Sequence, residues 1–254
     1  MYMNEKQLLP EAALYRYSND GTLHPLNNIE KNLPILTRAK FAGEPCYVPQ
    51  SATVTHQNVF YSVSNILRRT QDNKTIEALR QWEDRVGIRE AKRIRNEAIC
   101  AGNAVHYYLH SYLTDGELKA VSNSHKSYVE ALEKVLPNFG TCLFSEQFVV
   151  SFKHKYFGKF DQVGYYREAL TVSDLKISLK PKFSLNFIQD KILQLAAYYI
   201  PLETLYHVEQ AALIYLIRDS SYNEFIFKKN QMNLYKNLWL GRLNQINEAI
   251  RLAA

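Results

Sequence analysis

Along the first 55 residues the apolar positions are short, scattered and interrupted. Pro10, Pro25, Pro34, Pro45 and Pro49 recur there, with turn signals at Asn19-Asp20-Gly21 and Ala42-Gly43. This punctuation predicts an irregular N-terminal arm over residues 1–55, holding one or two short strands or turns. A helical period then sets in. Residues 62–84 read as a helix, with Ser62 or Ser64 to cap it and Ile66, Leu67, Ile76, Leu79 and Trp82 on its apolar positions. A longer helix follows over 86–114, where Val105, Leu109, Tyr112 and Leu113 are spaced for one buried face and Asp115-Gly116 gives the stop. A further helix spans 122–136, closed by Pro137.

The period then changes from helix to strand. Residues 143–152 (LFSEQFVVSF) have strand composition, 154–157 read as a turn, and 160–166 and 170–177 read as two more strands of an antiparallel meander. Residues 187–205 return to a helix, with Ile188, Ile192, Leu195, Ala196 and Tyr199 on its core stripe. A continuous apolar strand over 208–217, a short companion at 224–228 and a C-terminal amphipathic helix over 231–252 complete the order. Helices, three strands, a helix, two strands and a helix predict an α/β (α+β) fold, with helices packed on a mixed central sheet. The expected organisation is the arm over 1–55 and one domain over 56–254. That domain divides into a helical part (56–140) and a sheet-and-helix part (141–254).

Composition narrows the class. With 254 residues, 46% apolar and 22% charged, and only nine Gly and eight Pro, the chain is neither a fibre nor a low-complexity segment. No apolar run is long enough for a transmembrane helix, so no membrane association is expected. The first 20 residues lack the basic and apolar regions of a secretory signal. Cys46, Cys100 and Cys142 are too few and too scattered for a disulfide framework. A reducing compartment, the cytoplasm, is the expectation. The net charge of +6 favours an acidic partner such as nucleic acid, and rings such as the 18 Tyr can stack on unpaired bases.

The candidate chemistry lies between residues 144 and 198. Asp174 and Lys176 are two apart on a strand, so they share one face. Alone they are an ordinary ion pair. Asp161, at the start of the neighbouring strand, changes this. Two carboxylates converging from adjacent strands repel each other unless a cation lies between them. A hard oxygen-liganded ion, Mg²⁺ or Mn²⁺, suits that place. It would polarise a phosphodiester and acidify water, while Lys176 would steady the water and the growing phosphate charge.

The order Asp161 … Asp174-Leu175-Lys176 resembles the PD-(D/E)xK nuclease superfamily. Gly102-Asn-Ala-Val-His106 looks like the Gly-x-x-x-His element of its RecB-type exonucleases, and Gln194-Leu-Ala-Ala-Tyr198 like their Gln-x-x-x-Tyr element. The segment from Tyr61 to Leu67 (YSVSNIL) is similar to the opening helix of the mitochondrial genome maintenance exonuclease branch. The resemblance covers about residues 60–205. Phe160, rather than Pro, precedes Asp161, a departure common in the RecB-type branch.

This resemblance implies a restriction-endonuclease-like core and a metal-dependent exonuclease acting on single-stranded DNA ends, in repair, recombination or genome maintenance. It implies His106, Asp161 and Asp174 as ligands to Mg²⁺ or Mn²⁺, with the backbone carbonyl of Leu175 and with Glu146 as a candidate addition. Lys176 would orient the attacking water, and Gln194 and Tyr198 would contact DNA or steady the site. Four cysteines for an iron–sulfur cluster are missing, so none is expected. Lys153, Lys155, Lys180 and Lys182, in loops flanking the motif strands, are candidate phosphate contacts, as is Arg93 on the basic helix upstream of His106. Replication or recombination proteins are candidate partners, and a phage-encoded chain would act in its host's cytoplasm. Two alternatives stay open: a structure-selective endonuclease or junction resolvase on the same core, and a non-catalytic nucleic-acid-binding protein with a degenerate core. A single helix His is more often a packing residue than a ligand, and Gly102 is open to a plainer reading as a point of close helix approach.

Overall fold

The computed structural model describes residues 9–26, 33–117 and 122–253. It is a mixed α/β fold with two sheets. The described residues of the expected N-terminal arm are not irregular. They form four strands, β1 (Ala12–Tyr17), β2 (Leu23–Pro25), β3 (Leu36–Phe41) and β4 (Glu44–Pro49). Prolines at strand ends and positive-φ turns at Gly21 and Gly43 separate them, so the punctuation reflects hairpins.

The predicted helix over 62–84 is two helices. After the two-residue strand β5 (Tyr61–Ser62), α1 (Val63–Arg69) is capped by the Ser62 side chain, which accepts from the Asn65 N–H. The chain breaks at Thr70, and Asp72 caps α2 (Asn73–Val86). No residue of α2 is buried; Ile76 and Leu79, expected in the core, face solvent. Helix α3 (Ile88–Asp115) runs as predicted and ends on a left-handed Gly116. Its first half pairs with α2 through Arg95 and Glu83, 2.9 Å apart. Its second half packs on α4 (Lys126–Val135) and the core, through Val105 and Leu109.

The single strand expected over 143–152 is also divided. Strand β6 (Phe139–Ser145) belongs to one sheet and β7 (Phe148–Ser151) to the other. The return path divides likewise, into β8 (Tyr156–Lys159) and β9 (Gln162–Tyr166). One long ribbon therefore has its tip, β7–β8, in the seven-stranded sheet β4-β3-β2-β1-β7-β8-β5 and its base, β6 and β9, in a five-stranded sheet. The bend falls at Glu146 on the way out and at Asp161 on the way back. The Glu146 N–H donates to the Asp161 carbonyl at 2.9 Å, and the Phe160 N–H to the Gln147 carbonyl at 3.0 Å.

The five-stranded sheet has the order β12-β11-β10-β9-β6. Its centre is the parallel pair β10 (Ala169–Ser178) and β11 (Gln210–Ile217), joined by α5 (Gln189–Tyr206). Strand β12 (Tyr222–Lys228) and helix α6 (Lys229–Ala253) complete the chain. Both faces of the central pair are covered, so β11 is buried throughout and nearly all apolar. Alternation sorts its side chains. Leu213 and Tyr215 join α5 and α6 in one core, and Ala212 and Ile214 join α3 and α4 in the other. On β10, Val172 faces the α5 core and Leu175 the α3–α4 core. Asp174 and Lys176 therefore point to the α5 side.

Candidate active site

The bend in the ribbon gathers side chains from four elements. The potential ligand atoms of His106 on α3, and of Glu146 and Asp161 on the two bend strands, lie within 4.8 Å of one another. His106 Nδ1 is 3.3 Å from Asp161 Oδ1 and 3.5 Å from Glu146 Oε1. Asp161 reaches the trio because β9 has not yet begun: the β9–β10 ladder ends at Gln162 and Ser173. Beyond it, the Leu175 N–H finds no strand partner and donates to Asp161 Oδ2 at 2.6 Å. In an extended strand a residue's N–H and C=O point to the same edge. The Leu175 carbonyl thus faces the Asp161 side, where the sequence resemblance puts a metal ligand.

Asp174 is not part of the trio. It is 1% exposed and paired with Lys176. The two buried carboxylates still feel each other, and their acidities diverge. Burial raises the Asp161 pKa, but the His106 ring, Lys176 and the Leu175 N–H outweigh it and hold the group below the usual carboxylate value. Burial also raises that of Asp174. Lys176 opposes the rise and Asp161 adds to it, leaving Asp174 above the usual value. Burial favours a neutral Lys176, yet Asp174, Asp161 and Glu146 overcome this and raise its pKa, so the ammonium stays charged. Burial likewise opposes a charged His106, and the Asp161 and Glu146 carboxylates outweigh it, pushing the ring up to about 10. A cation between two carboxylates is what this geometry stabilises, and the imidazolium fills that role.

Glu146 has φ +58°, a left-handed backbone that costs a residue with a Cβ about 1–3 kcal/mol. The bend imposes it and turns the carboxylate toward His106 and Lys159, with which it forms an ion pair. The sequence placed Glu146 inside a strand, where this turn has no Gly or Pro signal. His110, one helical turn after His106, also has a place. Its Nδ1 is 2.9 Å from Ser145 Oγ, and that hydroxyl donates to the Asp161 carbonyl at 3.3 Å. His110 thus braces the backbone that presents Asp161.

The Gln-x-x-x-Tyr pair lies on α5, facing Asp174. Gln194 Nε2 donates to Tyr198 Oη at 2.9 Å. Tyr198 is 2% exposed, and burial, with Asp174 nearby, keeps its phenol protonated far above the usual range. Its ring passes close to Gly158 on β8: a Cβ there would be 2.4 Å from Tyr198 Cε1 and 2.8 Å from Val63 Cγ2. Gly158 therefore lets the YSVSNIL segment and the Tyr198 ring meet under the site. A Cβ on Gly102, by contrast, would meet nothing within 4 Å, so close helix approach does not explain that glycine. Lys191, one turn before Gln194, was not singled out from sequence, although the i, i+3 spacing carries the signal. Burial lowers its pKa, and the neighbouring Lys176 lowers it further.

The basic candidates separate. Lys153 and Lys155 lie at the ribbon tip, beyond the far end of β7 from Glu146. Lys153 pairs with Glu11 at 2.8 Å, and the Lys155 ammonium sits 5.0 Å from the Phe60 ring centre. Arg93 is paired with Glu90 and Glu97 on α3. It is thirteen residues before His106, roughly 20 Å along the helix axis. Lys180 and Lys182 lie just past the end of β10, on the segment that leads to α5.

The donor set fits a hard divalent cation: an imidazole nitrogen, two carboxylates within ligand spacing, and a buried carboxylate and a carbonyl edge beside them. Among the described residues, no helix is long and apolar enough to cross a membrane.

No protein-family model matches the chain. It is similar to mitochondrial genome maintenance exonuclease 1 of Homo sapiens, 29% identical over 149 residues, covering 56% of this chain and 43% of that protein. The mouse counterpart (Mus musculus) is 28% identical over 148 residues, covering 56% and 44%. The match spans less than half the length of each relative. Among solved structures, a chain from Eubacterium rectale assigned as an exonuclease superposes with a TM-score of 0.42 at 15% identity, covering 62% of this chain and 67% of that one. SSO0001 does so with a TM-score of 0.39 at 15% identity, covering 77% and 79%.

Proposed function

We propose that this chain is a metal-dependent nuclease that hydrolyses DNA phosphodiester bonds from single-stranded ends. One observation carries the reading: His106, Glu146 and Asp161 converge at the ribbon bend, beside the buried Asp174–Lys176 pair. The similarity to mitochondrial genome maintenance exonuclease 1 supports it.

In this reading His106, Asp161 and Glu146 hold Mg²⁺ or Mn²⁺, with Asp174 and the Leu175 carbonyl completing the protein's share. When bound, such an ion polarises a phosphoryl oxygen and acidifies nearby water. The chain's own groups do the rest. The surrounding carboxylates favour the Lys176 ammonium, which donates hydrogen bonds to the attacking water or a non-bridging oxygen. Asp174 orients Lys176. Gln194 and Tyr198 brace the α5 side of the site. Repair, recombination or genome maintenance is the matching process, in the cytoplasm.

The test is digestion of end-labelled linear and circular single-stranded DNA with Mg²⁺ or Mn²⁺, beside Lys176→Ala. Loss of the linear strand alone, abolished by the substitution, is the expected result. Cutting of circles would assign an endonuclease instead. DNA binding without cleavage in either metal would overturn the enzymatic reading.

A further inference from the structure

Between Asp174 and Asp190 the chain carries three lysines and no carboxylate. The stretch from Leu179 to Phe187 connects the end of β10 to α5, and it is unusual in what it leaves outside. Phe183 is 90% exposed and Phe187 86%, with Leu179 and Leu185 also exposed. A fully buried Phe contributes about 1.5–3 kcal/mol, so two rings left in water ask for a reason.

The backbone beneath them is held in place. The Lys182 N–H donates to Asn223 Oδ1 at 3.2 Å, and Asn223 Nδ2 donates back to the Lys182 carbonyl at 3.0 Å. The Ser178 hydroxyl donates to the Lys180 carbonyl at 2.7 Å. The Arg218 N–H donates to the Ser178 carbonyl at 3.0 Å. Ser184 caps the short 3₁₀ turn Leu185–Ile188, and Ile188 anchors it in the core at 2% exposure. The rings thus project from an anchored segment. Lys180, Lys182 and Lys191 form no side-chain ion pair among the described residues. The nearest sequence carboxylate, Asp190, is taken by Arg242 at 3.1 Å.

Exposed rings beside unpaired ammonium groups suit one polymer, a chain of phosphates with free base faces. A duplex hides those faces, whereas a single strand offers them. We infer that Phe183 and Phe187 are a stacking platform for unpaired bases of a DNA strand, with Lys180, Lys182 and Lys191 on its phosphates. The platform lies on the segment that joins the strand of Lys176 to the helix of Gln194. Leu179 is three residues past Lys176, roughly 10 Å along the strand. Lys191 stands one turn before Gln194 on α5. That the strand leads to this site rests on the nuclease reading; that the rings bind unpaired bases does not.

The experiment uses the full chain in EDTA, so that binding is read without cleavage. Fluorescence anisotropy measures affinity for a labelled single-stranded oligonucleotide and for the matching duplex, with wild type, F183A/F187A, F183W/F187W and K180A/K182A. Each ring stacked on a base is expected to carry roughly five- to hundredfold in affinity. The alanine pair should lose at least that for the single strand and little for the duplex, and the tryptophan pair should retain binding. Thermal unfolding should not change, since both rings are exposed. K180A/K182A should reduce the salt slope by about 1.4, the share of two phosphates on a single strand.

Unchanged single-strand affinity in the folded alanine pair overturns the platform. So does a shift from dimer to monomer in that variant with binding intact, which would make the patch a self-association face. If the wild type cleaves no DNA but the alanine pair still loses single-strand affinity, the nuclease reading falls and the platform stands. If it cleaves and the pair binds normally, the reverse holds.

Discussion

His106 Nδ1 lies 3.3 Å from Asp161 Oδ1, tying the buried half of α3 to the bend where the long ribbon passes from one sheet to the other. Burial opposes the charged ring, but Asp161 and Glu146 push it up to about 10, so it carries a proton at neutral pH. A metal ion and that proton compete for one place. Binding of Mg²⁺ or Mn²⁺ at pH 7–8 should release about one proton, and affinity should climb as pH rises toward 10. Titration calorimetry in buffers of different ionisation enthalpy reads the proton count. Proton-silent binding would remove His106 from the ligands. Without metal, the raised ring also stabilises the fold. That contribution is complete below the ordinary value of 6.5 and is lost as pH rises through about 10. The stability gap between wild type and His106→Gln should close over that window.

Lys176 holds the buried Asp174 carboxylate. Lys176→Ala should lower DNA hydrolysis at least a hundredfold. It should also cost about 3–5 kcal/mol of stability, because it strands a buried charge. Adding Asp174→Asn should recover most of the stability and none of the activity. Urea denaturation at constant pH, alongside a nuclease assay, separates the two effects. If the double variant is as unstable as the single, the pair is not what couples these residues.

Glu146 pays a conformational cost for facing His106. Glu146→Gly and Glu146→Ala both lose the contacts to His106 and Lys159 and should weaken metal binding. Only glycine relieves the left-handed backbone, so Glu146→Gly should be about 0.5–1 kcal/mol more stable than Glu146→Ala. Equal thermal midpoints for the two variants would argue against strain at the bend.

Gly158 and Gly102 should respond in opposite directions. Gly158→Ala puts a Cβ 2.4 Å from the Tyr198 ring and should destabilise by about 1–3 kcal/mol. Gly102→Ala meets nothing within 4 Å and lies inside α3, where alanine should stabilise by roughly 0.5–1 kcal/mol. Chemical denaturation of both, against wild type, is the check. A destabilised Gly102→Ala would mean that α3 packs more closely than its free surface indicates.

Local signals account for what was legible in advance. Helix α3 follows from its apolar stripe and the Gly116 stop, and Asp174, Leu175 and Lys176 fall on a strand as the apolar run over 170–177 predicts. Gln194 and Tyr198 share one helix face by spacing alone. The break before α2 was also readable, since Asp72 precedes Thr75 at capping distance, but the apolar residues on both sides masked it. The N-terminal strands were hidden for a different reason. Each is only three to six residues long, too short for a clear alternation; they pair with one another in chain order, and that meander joins the rest of its sheet through β1 and the distant β7.

The amino-acid order shows which kinds of chemistry are present: carboxylates, an imidazole and a lysine on rigid elements, in an order that resembles a nuclease superfamily. Which of them meet follows from the tertiary structure. The trio forms because Glu146 and Asp161 occupy facing positions where a ribbon leaves one sheet for another. The pairing of distant strands imposes that turn, and no local preference of Ser145-Glu146-Gln147 requests it. Asp174 leaves the trio for Lys176 because strand alternation aims both at α5. Side-chain convergence depends on how two sheets join, and that is a property of non-local pairing rather than of any one segment.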